Sequence, residues 1–196
     1  LWSGMENAFH LATWALVLAP VLRAESALAR GRPITRWAWL AGVAGVALVL
    51  TRPEAATSIA VLGFWLAHFV RKKRGFAAAL GTLVRIGVPP LFALVGQAAL
   101  NRVATGEWSQ AGAIAKLAIN HPFMSRADVW DEWIFHLKYV LARNVQHHFA
   151  DAIPFGYIVP ALALVSLFSA RTRRYAIMLW ATAALWVLVV ALNGQV

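Results

Sequence analysis

Six long apolar runs divide this chain and leave little open to it except helices inside a membrane. They are Ala8 to Leu22, Trp37 to Leu50, Ala55 to Val70, Phe76 to Leu100, Phe155 to Phe168 and Tyr175 to Leu192. A hydrocarbon core of about 30 Å holds no water to satisfy backbone N–H and C=O groups, so runs of this kind read as helices, which satisfy their own. Several runs are only about 14–16 residues long, or about 22 Å as helix. Short spans fit a polytopic bundle, where neighbours cover irregular backbone. The chain is 61% hydrophobic and 13% charged, against about 45–50% and about 25% for a soluble domain. Its 10 Trp and 3 Tyr suit two membrane–water interfaces. The expected fold is therefore all-α, a polytopic transmembrane bundle of about six spans, with residues 1–196 forming one membrane domain.

The net charge of +10 raises the question of nucleic acid, and the placement of the charges answers it. With the loop after the first run taken as inside, the inner side holds Arg23, Arg30, Arg32, Arg36, Arg71, Lys72, Lys73, Arg74, Arg85, Arg171, Arg173 and Arg174. The outer side holds only Arg52, Arg102, Lys116, Arg126, Lys138 and Arg143. Lys and Arg set topology by remaining cytoplasmic, so this pattern orients a multi-pass protein of the cell membrane and builds no groove for nucleic acid. Arg85 lies inside the fourth run, so either it snorkels back to the inner interface or the stretch before it lies along that interface. Pro89-Pro90 should kink or restart that helix.

Residues 101–154 alone have soluble character and fall outside as a long loop. Ser125-Arg126-Ala127-Asp128 reads as a helix capping box. The helix that follows gathers Val129, Trp130, Trp133, Ile134, Leu137, Val140 and Leu141 on one stripe. An amphipathic helix of this type lies on the membrane surface or over the mouth of the bundle.

Candidate chemistry is sparse. The chain has no Cys, so thiolate ligands and nucleophiles are excluded. Thr51-Arg52-Pro53-Glu54 joins two apolar runs with no real loop. Two such short helices place the turn below the outer surface, where ionisable groups usually line a water-filled cavity. Arg52 is a fixed cation with a fork suited to phosphate. Glu54 falls in the first turn of the third helix, where the dipole favours an acid. The alternative is a tight turn in which Arg52 and Glu54 pair with each other. Glu6 and His10 stand four apart on one face of the first span, although Ser3-Gly4-Met5-Glu6 also fits a capping box. Lys116 sits among small residues that let backbones approach closely. His136, His147 and His148 lack the spacing of a metal face, so a divalent metal has no support and no cofactor is evident. Walker, dinucleotide-binding, nucleophile-elbow and zinc-protease motifs are all missing.

Three stretches in order carry a resemblance. Ser3-Gly4-Met5-Glu6 opens a span, Thr51-Arg52-Pro53-Glu54 ends a short one, and Asn101 through Gly106 to Ala115-Lys116 follows another. Together they resemble the GT-C superfamily, membrane glycosyltransferases that use polyprenyl-phosphate sugars and include bacterial relatives of protein mannosyltransferases and mycobacterial arabinofuranosyltransferases. Asn7 stands where that family commonly has Thr, Ala55 where it has Gly, and the third stretch keeps only Ala115-Lys116 clearly. The resemblance implies sugar transfer from a polyprenyl-phosphate donor on the outer side. Arg52 and Lys116 would meet the lipid phosphate, while Glu6 and Glu54 are available as acceptors for a sugar hydroxyl; His10, read from the residues alone, is a candidate proton carrier at this depth. The family's acidic catalytic base would precede residue 1, and the ends, without an initiator Met, read as those of a piece of a longer protein. A transporter or flippase is the competing class, since broken spans with buried charges suit one; a non-catalytic membrane scaffold is a third.

Overall fold

A computed structural model of the chain describes residues 2–108, 123–146 and 155–192. Among them every regular element is helical. The chain divides into two compact units, Leu1–Gly106 and Glu107–Val196.

The first unit is a bundle of four helices: α1 (Trp2–Ala29), α2 (Thr35–Thr51), α3 (Ala56–Arg74) and α4 (Phe76–Thr105). A single 3-10 turn, Pro53–Ala55, leads into α3. The connections are short, so successive helices run up and down, and α2 packs between α1 and α4 while α4 also packs on α3. The buried stripes follow helical spacing: Val17, Val21, Ala24 and Leu28 on α1, and Ile59, Leu62, Leu66 and Val70 on α3. Apolar side chains also cover the outside. Phe64 and Phe92 are 65% and 73% exposed, and Leu80, Val84, Leu91 and Val95 join them. A soluble monomer does not display a continuous apolar surface of this size; a lipid bilayer is the environment it fits.

α2 and α4 approach most closely through glycine. A Cβ on Gly42 would collide with the Arg85 carbonyl oxygen and come within 3.1 Å of Pro89 Cγ. Pro89 has no N–H, so it leaves the carbonyl of Arg85, four residues earlier, without its intrahelical donor. Gly42 presents its bare backbone to that oxygen, a close approach of the Cα–H···O kind. α4 consequently runs through Pro89 and Pro90 as one helix of 30 residues, rather than restarting as its sequence suggested. Arg85 takes the snorkelling option. Its guanidinium folds back over Gly81 and lines a small cavity with Thr35 and Arg74, at the arginine-rich end of the helix.

The second unit holds α5 (Arg126–Gln146), α6 (Phe155–Val165) and α7 (Arg173–Val190). The capping box forms at the start of α5: Ser125 N–H donates to Asp128 Oδ2 at 2.8 Å, and Asp128 N–H donates to Ser125 Oγ at 3.3 Å. One face of α5, with Val140 buried and Trp133 half-buried, packs on α6 and α7. Trp133 Nε1–H donates to the Leu188 carbonyl at 3.1 Å, near the end of α7 opposite Arg173 and Arg174. Trp130, at 60% exposed, lies on the open side.

Among the described residues four helices are long and apolar enough to cross a membrane: Ala8–Ala29, Pro53–Arg74, Phe76–Thr105 and Arg173–Val190. The six apolar runs thus yield four full-length candidates. α2, with 17 residues, reaches about 25 Å. The described part of α6 is 11 residues long and stops at Val165, where Ser166, Leu167 and Phe168 wind into turns bonded to carbonyls three residues back.

Candidate functional site

The site expected at Thr51-Arg52-Pro53-Glu54 begins where α2 stops. Arg52 is extended, with φ −149° and ψ 109°, because Pro53 disfavours helix in the residue before it. Pro53 then occupies the first position of the 3-10 turn, with Glu54 in that turn, and Thr57 Oγ1–H closes on the Glu54 carbonyl at 2.8 Å. The local chemistry of one proline thus fixes both the break and the direction of the side chains around it.

The turn is recessed in the bundle. It meets α1 at His10, eight residues in from Trp2, or about 12 Å along the helix. α2 and α4 run in the same direction, with Gly45 packed at Pro90. α4 continues to Thr105, roughly nine residues or about 13 Å beyond the level of the turn. The recess therefore comes from the lengths of α1 and α4. The sequence argument placed it in two short helices, but only α2 is short; with its 3-10 lead-in, α3 spans 22 residues.

Arg52 Nη1 and Glu54 Oε1 lie 3.6 Å apart, with the side chains 37% and 21% exposed. The mutual pairing considered for this turn is thus present, as a loose contact longer than the about 2.7–2.9 Å of a charge-assisted hydrogen bond. A half-exposed pair of this type is worth about 0–1 kcal/mol. Phe9, His10, Thr51 and Arg52 line a cavity of about 280 Å³ beside it.

His10 and Thr51 are joined at 3.1 Å through Nδ1 and Oγ1. The single hydroxyl proton of Thr51 is already donated to the Leu48 carbonyl at 2.6 Å. Thr51 Oγ1 therefore accepts, and His10 Nδ1–H donates. That assigns the tautomer of the neutral ring and leaves the lone pair on Nε2. Thr51 was part of the motif, but its part in orienting His10 has no local signature. The ring finds this partner on α2.

Arg52, Glu54 and His10 are thereby brought together. The side chain of Glu6, and all of Lys116, His147 and His148, lie outside the described residues. His136 is buried on α5, with Nε2 3.4 Å from Glu132 Oε1 one turn earlier. Among the described residues no group of three or more His, Asp or Glu is placed to hold a metal ion.

No family model matches the chain, and neither the curated proteins nor the solved structures contain a match to it.

Proposed function

We propose that the chain is part of a GT-C-type glycosyltransferase that moves a sugar from a polyprenyl-phosphate donor to an acceptor on the extracytoplasmic side of the cell membrane. In this reading α2 and α6 also cross, giving six spans, the arginine-rich loops are cytoplasmic, and α5 lies at the outer surface. The observation that carries it is the recessed cation. Arg52 stands beside a small cavity roughly 12 Å below the ends of its longer neighbours, with Glu54 and His10 around it. A cation with five donors in such a recess matches a phosphate.

The reaction is attack by an acceptor hydroxyl on the anomeric carbon, with polyprenyl phosphate as leaving group. Arg52 stabilises the charge that grows on the leaving phosphate. Glu54 and the Nε2 lone pair of His10 accept hydrogen bonds from sugar hydroxyls. The resemblance adds Lys116 as a second cation for the phosphate and Glu6 as a further acceptor, and a general base takes the proton of the attacking hydroxyl.

The test is sugar transfer from a polyprenyl-phosphate donor by the full-length protein, with thermal stability measured alongside. Arg52→Ala should lower kcat about 100- to 1000-fold, as expected for removal of one preorganised donor to a developing oxyanion, with little change in Tm. Arg52→Lys should retain part of the activity, because the charge stays and the fork is lost. If Arg52 only braces Glu54, Glu54→Gln and Arg52→Ala should lower Tm equally. Full transfer by a folded Arg52→Ala protein removes Arg52 from the site, and donor movement across the bilayer without transfer favours the flippase.

A further inference from the structure

The other end of the first unit carries a second cationic site. Arg23, Ser26, Arg30, Arg32, Pro33 and Trp37 surround a cavity of about 450 Å³ where α1 ends and α2 begins, within the common size range of small-molecule sites, about 300–1,000 Å³. We propose that this cavity binds the phosphate headgroup of an anionic phospholipid from the cytoplasmic leaflet.

Three observations make it a built site rather than a loose cluster of topogenic charges. The loop is fixed: Gly31 adopts φ +71°, and Arg30, Gly31 and Arg32 donate their N–H groups back to carbonyls of Ser26, Leu28 and Ala27. The Trp37 ring lies 5.3 Å from the Arg23 guanidinium, which holds that cation at the cavity wall by cation–π attraction; Arg36 sits 5.4 Å from the same ring. The negative end of α1 is also covered. Lys73 Nζ donates to the Leu28 and Ala29 carbonyls, and Arg74 donates to the Arg32 carbonyl, so backbone oxygens that would repel an anion are occupied.

Neither Arg52–Glu54 nor His136–Glu132, ion pairs among the described residues, involves these arginines. Glu25 is buried and does not line the cavity. The basic cluster at the start of α7 differs: Arg173 donates to the Leu167 carbonyl and Arg174 to the Tyr175 hydroxyl. A phosphate is the shared chemistry of a lipid headgroup and a free anion. The position favours the lipid, because the cavity sits at the mouth of two membrane-facing helices beside an interfacial Trp, where anionic lipids concentrate. The inference rests on the membrane orientation proposed above but not on sugar transfer.

The test uses the full-length protein in neutral detergent micelles doped with phosphatidylglycerol, with phosphatidylcholine as the neutral control. Tm shift and lipid retention in native mass spectrometry are the readouts. Phosphatidylglycerol should raise Tm and remain bound, while inorganic phosphate at the same concentration should not. Arg30→Gln with Arg32→Gln should weaken the lipid effect at least tenfold. Lys72→Gln with Arg171→Gln, which removes equal charge elsewhere, should preserve it, as should Arg52→Ala. Arg30→Lys with Arg32→Lys keeps charge and fold and should still weaken binding by loss of the fork. Undiminished binding in either arginine double variant overturns the proposal. So does an equal response to free phosphate, or equal loss in the Lys72/Arg171 control.

Discussion

Gly42→Ala is the sharpest test of how the first unit is held together. The added methyl would meet the Arg85 carbonyl head-on, with Pro89 Cγ at 3.1 Å and the Arg85 carbonyl carbon at 3.2 Å. None of these atoms can rotate away, since they belong to the backbone and ring of the proline step in α4. Overpacking of this kind costs about 1–3 kcal/mol, and loss of the Cα–H···O approach adds about 0.5–1 kcal/mol. Better helix propensity of alanine returns at most about 1 kcal/mol. With the full alanine return subtracted, the net is a destabilisation of about 0.5–3 kcal/mol, which in a chain of this size lowers Tm by about 2–4 °C for each kcal/mol. Gly96 is the internal control, because a Cβ there meets nothing within 4 Å and Gly96→Ala should be neutral or slightly stabilising. Gly45→Ala should fall between them: its new methyl meets Ile59 Cδ1 at 3.0 Å, the movable tip of a side chain, and Ile59→Val should relieve it. Thermal unfolding in one detergent, followed by tryptophan fluorescence, ranks the three. A Gly42→Ala protein as stable as Gly96→Ala would refute the close α2–α4 contact.

Because the chain has no native Cys, single cysteines report topology cleanly: Ser26→Cys and Thr172→Cys should be shielded from an impermeant thiol reagent in intact cells, and Ser109→Cys should label. Labelling at Ser26 with protection at Ser109 would invert the orientation. The hydrogen bonds of Asp128 with Ser125, through its hydroxyl and then its backbone, hold the Asp128 carboxyl below its ordinary value of 3.8. The stability it adds to α5 is therefore full above that ordinary value and is lost as pH falls through the depressed one. Amide exchange in the first turn of α5 should accelerate over that acidic window in the parent protein and not in Asp128→Asn. Ser125→Ala removes the cap at any pH, at a cost of about 1 kcal/mol. Trp133→Phe keeps the ring but loses the bond to the Leu188 carbonyl, and should destabilise by about 0.5–1.5 kcal/mol. Trp130→Phe, on the exposed side of the same helix, should leave Tm unchanged.

Local features were legible in the sequence. The capping box of α5, the break at Pro53 and the helical character of each apolar run depend on residues a few positions apart, and each can be read from spacing. The juxtapositions that build the sites are not local. His10 meets Thr51 across 41 residues, and the carbonyl that Pro89 frees is met by Gly42 from another helix. The register of α2 against α1 decides the first contact and its register against α4 the second, and a single sequence carries no direct record of either. Of the kink or restart expected at Pro89-Pro90, the restart does not occur, and the Gly42 backbone that meets the freed carbonyl could not be seen in the sequence. The basic loop after α1 was legible as a topological signal. The cavity it encloses depends on Gly31 and Trp37 acting together.

The contacts from Lys73 to the last carbonyls of α1 impose an order on biogenesis. Lys73 lies 44 residues after Ala29, so the last carbonyls of α1 remain without these donors until α2 and nearly all of α3 have been synthesised. At about 5–20 residues per second that interval is roughly 2–9 s. In the proposed orientation, the cytoplasmic end of the α1–α2 hairpin lacks these side-chain donors during that interval, and arrival of the basic end of α3 then couples the stop of α3 to closure of the α1 terminus.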